Sequence, residues 1–300
     1  MTFGGPTRRS FFPIAVPLSL DEAEESIRNN GPLEAGAIGY VPSIFCLMNL
    51  PHANPKQSHY SSRSGLLETS MVADPTIGLP YGRVSRLMLI WLVTQSKLNN
   101  SPLIDLGTSQ AEFFNKKLGI MGSGGKAGTI TRYADQLDRL FRCLFTIIDQ
   151  RKESFEIVNY LIAHKGPMFS KSRSMGGRNM IGQVQLNLDF FIHFKEHAVP
   201  VDLRAVASLE STYALDLYVF FNYRLRGISK PLFLSWSQLM KQLGYAPHDE
   251  STGPFRACKH RLIRNIKDVR RVYPAAQLCI EDGGLLLHKS VGSVPRTNRR

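Results

Sequence analysis

The chain has 300 residues, 43% of them hydrophobic, and carries 37 Lys and Arg against 24 Asp and Glu, a net charge of +13. That much apolar content buries a substantial core, and the length accommodates two domains. The charge favours an extended anionic partner, nucleic acid ahead of an anionic membrane.

Other classes recede on spacing. Cys46, Cys143, Cys258 and Cys279 are scattered, so neither a zinc ribbon nor a disulfide framework is indicated, and a reducing, cytoplasmic setting fits. The longest apolar run, Leu87 to Val93, is too short to cross a bilayer. At the N-terminus Arg8-Arg9 precede an apolar stretch, as in a twin-arginine export signal. Pro13 and Pro17 interrupt it, however, acids from Asp21 to Glu25 follow, and no small-residue cleavage site appears.

In chain order, residues 1–75 read as an N-terminal arm or partly ordered subdomain, with one acidic helix capped by Ser19 and running to Asn29. Apolar residues then recur every three or four positions from Tyr81 to Leu98, which predicts a helix. A short strand at Pro102-Leu103-Ile104 follows, then a short helix in "SQAEFFNKKLGI", a glycine loop "GSGGKAGT", a helix from Thr129 to about Cys143, and alternating strands around Gln150-Arg151-Lys152.

The same order returns later: a helix from Asp202 to Arg226, a strand at Pro231 to Leu234, a short helix in "SQLMKQLGY", a helix from Pro254 to Tyr273, and a hairpin. In the hairpin Leu278 and Ile280 alternate, Asp282-Gly283-Gly284 turns, and Leu285 and Leu287 alternate back. Ser109-Gln110 matches Ser237-Gln238, and Leu118-Gly119 matches Leu243-Gly244, so the pattern is an internal repeat. Helix, strand, helix, turn, helix and two-stranded wing is the winged-helix order. The expected fold is therefore α+β and mostly helical: two tandem winged-helix units, 76–200 and 201–290, behind the arm, with a disordered basic tail at 291–300.

The helix from Pro254 carries the strongest functional signal. Phe255, Cys258, Leu262, Ile266, Val269 and Tyr273 form one apolar stripe, while Arg256, Lys259, His260, Arg261, Arg264, Lys267, Arg270 and Arg271 are opposed by the single acid Asp268. A merely solvated helix interleaves acids for i,i+4 pairing, and this one does not. A DNA contact is expected, with Arg256, Lys259 and His260 near base edges and Lys267, Arg270 and Arg271 on phosphates. The matching first-unit helix offers Lys126, Arg132 and Arg139 as weaker backbone contacts beside Asp135 and Asp138.

Two enzymatic patterns fail. The glycine loop lacks the first glycine of a nucleotide-binding loop, where Ile120 stands, and its hydroxyl, where Ala127 stands. His193-Phe194-Lys195-Glu196-His197 has the spacing of some zinc peptidases, but no third ligand is apparent, so a metal-dependent hydrolase is only a minor alternative. No catalytic residue, metal or cofactor is assigned.

The stretch "GLPYGRVSRLMLIWLVTQS", Gly78 to Ser96, resembles the hallmark segment of the RepA-type plasmid replication initiators. "LPH" at 50–52, "FFNKKLGI" with its following glycines, "QLDRLF" at 136–141 and "YALDLYVFFNYRL" at 213–225 agree in order. The resemblance implies theta-type initiation by tandem winged helices: binding origin repeats, helping to open the duplex, recruiting the host replicative helicase and chromosomal initiator, and dimerising as an autorepressor. A winged-helix transcriptional repressor without a replication role is the alternative. Ala53 and Ala127 depart from the family's more basic loops, so the resemblance carries no phosphate contact there.

Overall fold

The computed structural model describes residues 18–64, 66–110, 112–120, 128–150, 156–166, 182–244 and 252–295. The expectations on the Arg8-Arg9 segment, on Gly122 to Ala127 with Lys126, on Arg151-Lys152, and on Arg296, Arg299 and Arg300 lie outside the described residues.

Helix α1 (Leu20–Asn29) starts at a reciprocal capping box: Ser19 Oγ accepts from the Glu22 amide, and the Glu22 carboxylate accepts from the Ser19 amide. Strands β1 (Ile38–Pro42), β2 (His59–Ser64) and β3 (Leu67–Val72) come next. Helix α2 (Gly82–Asn99) is buried without interruption from Ser85 to Thr94, which makes it the central helix of the core. Asn100, in the left-handed region, ends it.

After β4 (Leu103–Asp105), residues Glu112–Lys117 form a single π-helical segment, and α3 (Thr129–Arg142) follows. Strands β5 (Leu144–Asp149) and β6 (Glu156–Leu161) pair with each other, and β5 also pairs with β3. A four-stranded antiparallel sheet results, in the order β2-β3-β5-β6.

This corrects the sequence reading of the first wing. The strands flanking Gln150 belong to that sheet, and the strands that return to β4 are β7 (Ala163–Lys165) and β8 (Gln183–Leu186), in the order β4-β8-β7. Local alternation identifies a strand but not its partner, and here the partner β3 lies far upstream.

Helix α4 (Leu188–His197) leads into β9 (Ala198–Asp202), which pairs antiparallel with β1. The single helix expected from Asp202 to Arg226 is instead two, α5 (Leu203–Ser208) and α6 (Thr212–Arg224), each with its own capping side chain, Asp202 and Ser211. The break is held from a distance: Arg83 donates to the carbonyl oxygens of Val206, Ala207 and Leu209 at 3.1, 2.8 and 2.9 Å, satisfying acceptors that a continuous helix would have used.

The chain continues with β10 (Leu232–Ser235), α7 (Trp236–Gln242), α8 (Gly253–Val272), β11 (Leu278–Glu281) and β12 (Gly284–Leu287). The sheet of these strands runs β10-β12-β11, the same order as β4-β8-β7. Gly119 and Gly244, aligned in the sequence reading, both adopt positive φ, +66° and +72°, one just past the π-helical segment and the other just past α7, a left-handed stop that glycine takes without strain.

Helices α2 and α6 are tied together through residues that the sequence reading took only as a likeness. Arg86 on α2 holds Asp216 on α6 with two hydrogen bonds, 2.6 Å from Nε and 2.8 Å from Nη2, and its Nη2 also donates to the Leu50 carbonyl. His52 Nε2 lies 2.9 Å from Asp216, and the His52 ring stacks on Tyr213 at 3.7 Å. Burial disfavours the Asp216 carboxylate, yet the Arg86 guanidinium and the His52 hydrogen bond outweigh it and keep the group ionised below its usual range. Burial pushes His52 below its ordinary 6.5, and Asp216 offsets only part of that.

Candidate nucleic-acid interface

Helix α8 begins where Thr252 Oγ1 accepts from the Phe255 amide, with Pro254 in the first turn, where its missing N–H costs nothing. Phe255, Leu262, Ile266, Val269 and Val272 are buried in the core. Each such side chain contributes on the order of 2 kcal/mol to holding the helix in place. Opposite them, Arg256, His260, Arg264 and Lys267 recur at helical spacing as an exposed stripe, flanked by the exposed Arg261 and Arg270.

Two of the expected contacts are engaged within the protein. Lys259 donates through Nζ to the Asp282 carbonyl oxygen at 2.8 Å and lies over the Trp236 ring, 5.6 Å from its centroid. Trp236 Nε1 donates to the same carbonyl at 2.9 Å, so one oxygen in the β11–β12 turn is gripped from both α7 and α8. Lys259 therefore fixes the hairpin relative to the helix. Arg271 pairs with Glu24 at 2.6 Å and with Asp21, both on α1.

In the first unit, Arg132 is exposed on α3. Arg139 is largely buried; it pairs with Asp135 at 2.8 Å, donates to the Leu79 carbonyl and lies over the Tyr81 ring. Its guanidinium braces the turn that starts α2 rather than facing outward.

His193 and His197 end α4 with ring centroids 5.4 Å apart, and His193 lies against Tyr160. Among the described residues no group of three His, Cys, Asp or Glu could hold a metal. Among them also, no helix is long and apolar enough to cross a membrane.

Sequence reasoning missed the Arg83 clamp, the Arg86–Asp216–His52 cluster and the pairing of the α1 acids with α8. The cluster had a signal: isolated charges inside otherwise apolar stretches, Arg86 before "LMLIWLV" and Asp216 within "ALDLYVFF", are almost always paired when buried.

The model of the RepA_C family, described as plasmid encoded RepA protein, matches residues 79–238, just over half of the chain. The match runs from just before α2 into α7 and ends before α8. No curated protein matches the sequence. Among solved structures, the crystal structure of selenomethionine derivatives of domains 2 and 3 of RctB is similar over 83% of this chain and 99% of that one, at 14% identity and a TM-score of 0.50, a likeness of fold. A second crystal structure of RctB domains 2 and 3 covers 81% of this chain and 94% of its own at 12% identity and a TM-score of 0.45. With the model matching more than half of the chain, hallmark helix α2 included, the chain belongs to the RepA_C family of plasmid-encoded RepA proteins, plasmid replication initiators.

Proposed function

We propose that the protein initiates plasmid replication by binding repeated double-stranded sites at an origin through two winged-helix units, with α8 as the reading helix. The observation that carries this reading is the α8 stripe: Arg256, His260, Arg264 and Lys267 exposed on one face, the opposite face anchored in the core, and a hairpin locked beside it by Lys259 and Trp236. A helix so held can enter a major groove without losing its own packing. Arg256 and His260, nearest the N-terminal end, suit base edges; Arg264, Lys267 and Arg270 suit phosphates.

The first unit supplies backbone contacts through Arg132 and a surface for self-association. The outer face of the four-stranded sheet supports the latter, since exposed Val72, Leu144 and Leu161 align across β3, β5 and β6 and exposed Ile157 lies on the edge strand β6. On this reading the protein acts in the bacterial cytoplasm without covalent chemistry of its own, helps open the duplex, recruits the host replicative helicase and chromosomal initiator, and represses its own promoter as a dimer.

The test is plasmid maintenance. The coding sequence beside its flanking repeats should sustain an otherwise origin-less plasmid. A protein that binds those repeats and silences the promoter, yet sustains no plasmid, is a repressor and not an initiator.

A further inference from the structure

The cationic stripe of α8 does not run to the end of the helix. Arg256, His260, Arg264, Lys267 and Arg271 follow one another at spacings of four, four, three and four, so all five lie on one face. The first four are exposed, but Arg271 is engaged by α1: its Nε donates to Glu24 Oε2 at 2.6 Å and its Nη2 to Asp21. Glu24 is shared, accepting from Arg28 at 2.9 Å through its other oxygen.

The acidic helix is not loosely laid there. Ala23 is fully buried. Arg204, itself paired with Asp202 in the core at 2.7 Å, donates to the carbonyl oxygens of Ser26 and Asn30 at 2.8 and 3.1 Å, and so caps the last turn of α1. The acids are thereby held at the end of the reading helix, about 6 Å beyond Lys267 along its axis at 1.5 Å per residue.

We propose that Asp21 and Glu24 are specificity-determining residues: they withdraw Arg271 from phosphate binding and mark where the DNA backbone must leave α8, lowering affinity for random DNA more than for the target. The proposal rests on α8 being the DNA-reading helix. Random DNA is held by phosphate neutralisation alone and takes any pose that adds a cation, so an extra free arginine strengthens it directly. The target complex is fixed by base contacts at the other end of the helix and gains less from the same arginine.

The experiment is a salt titration of the full chain on a duplex carrying the target repeat and on a scrambled duplex of equal length, for the native protein, Asp21→Asn/Glu24→Gln, that double variant with Arg271→Gln added, and Arg264→Ala. The double variant should bind scrambled DNA about threefold or more tightly, with a salt slope steeper by about 0.9, the increment for one more neutralised phosphate. Its preference for the target should fall, and adding Arg271→Gln should reverse both changes. Circular dichroism confirms that α1 remains folded in each variant. If scrambled DNA binds no better in the double variant while Arg264→Ala weakens binding, the role of the acids is wrong and the reading helix stands. A gain that survives Arg271→Gln also overturns the proposal, because the effect is then diffuse charge. If Arg264→Ala leaves all binding unchanged, α8 does not hold DNA and both readings fall.

Discussion

Arg86 and Asp216 lie 130 residues apart in sequence and meet in a bidentate ion pair with N–O distances of 2.6 and 2.8 Å, one on the central helix α2 and the other on α6. Their side chains are 7% and 13% exposed, so the pair is largely withdrawn from water. Leu50 and Gly82 add carbonyl acceptors to the guanidinium, and His52 adds a ring nitrogen to the carboxylate. Three segments that resemble the plasmid initiators, at 50–52, 78–96 and 213–225, thus converge on one polar cluster, which ties α2 to α6.

That cluster predicts an asymmetric mutational response. Arg86→Met leaves a buried carboxylate without its guanidinium and should lower unfolding stability by about 3–5 kcal/mol. Adding Asp216→Leu should recover a good part of the loss, because the uncompensated charge is then gone. Denaturant unfolding of the two variants measures both effects.

The same cluster sets a pH dependence. His52 has its folded-state pKa below 6.5, so the unfolded chain takes up a proton there before the native one does. Stability should therefore be flat above about pH 7 and fall as the pH drops through 6.5. Asp216, also held below its ordinary 3.8, adds a second loss in stronger acid. Thermal unfolding of His52→Gln between pH 5 and 8 should lack the first of these declines.

Gly119 and Gly244 share a left-handed conformation, and Gly244 also sits where a Cβ would come 2.8 Å from the Tyr60 hydroxyl. Alanine at either position should destabilise by about 1 kcal/mol from backbone strain alone, with the larger cost at Gly244. Equal stability of native and Gly244→Ala proteins in urea would refute this role.

Lys259 is expected to act through the hairpin. Lys259→Ala should speed amide hydrogen exchange in the turn from Glu281 to Gly284, because one of two donors to the Asp282 carbonyl is lost. Arg264→Ala, on the exposed stripe, should leave that exchange unchanged.

Much of this fold was legible in the sequence because its signals are local. Apolar spacing gave α2, α3 and α8; the Ser19 cap gave the start of α1; and the Asp282-Gly283-Gly284 turn gave the second hairpin. What was not legible depended on distant partners. The stop between α5 and α6 is enforced by Arg83, more than 120 residues upstream. The strands around Gln150 join β3 rather than β4. On α8, composition distinguished a basic face from an apolar one, but it could not show that Arg271 is paired with acids 250 and 247 residues away or that Lys259 is spent on the hairpin.

The measurement that bears most directly on the DNA-reading role of α8 is a salt titration of binding to the DNA flanking the protein's own coding sequence, read against scrambled DNA of equal length, with Arg256→Ala alongside. The account predicts that native DNA is preferred by about a thousandfold or more, that both affinities fall steeply with salt, and that Arg256→Ala narrows the preference. Equal binding of the two DNAs at every salt concentration would contradict it, reducing the face of α8 to an electrostatic patch.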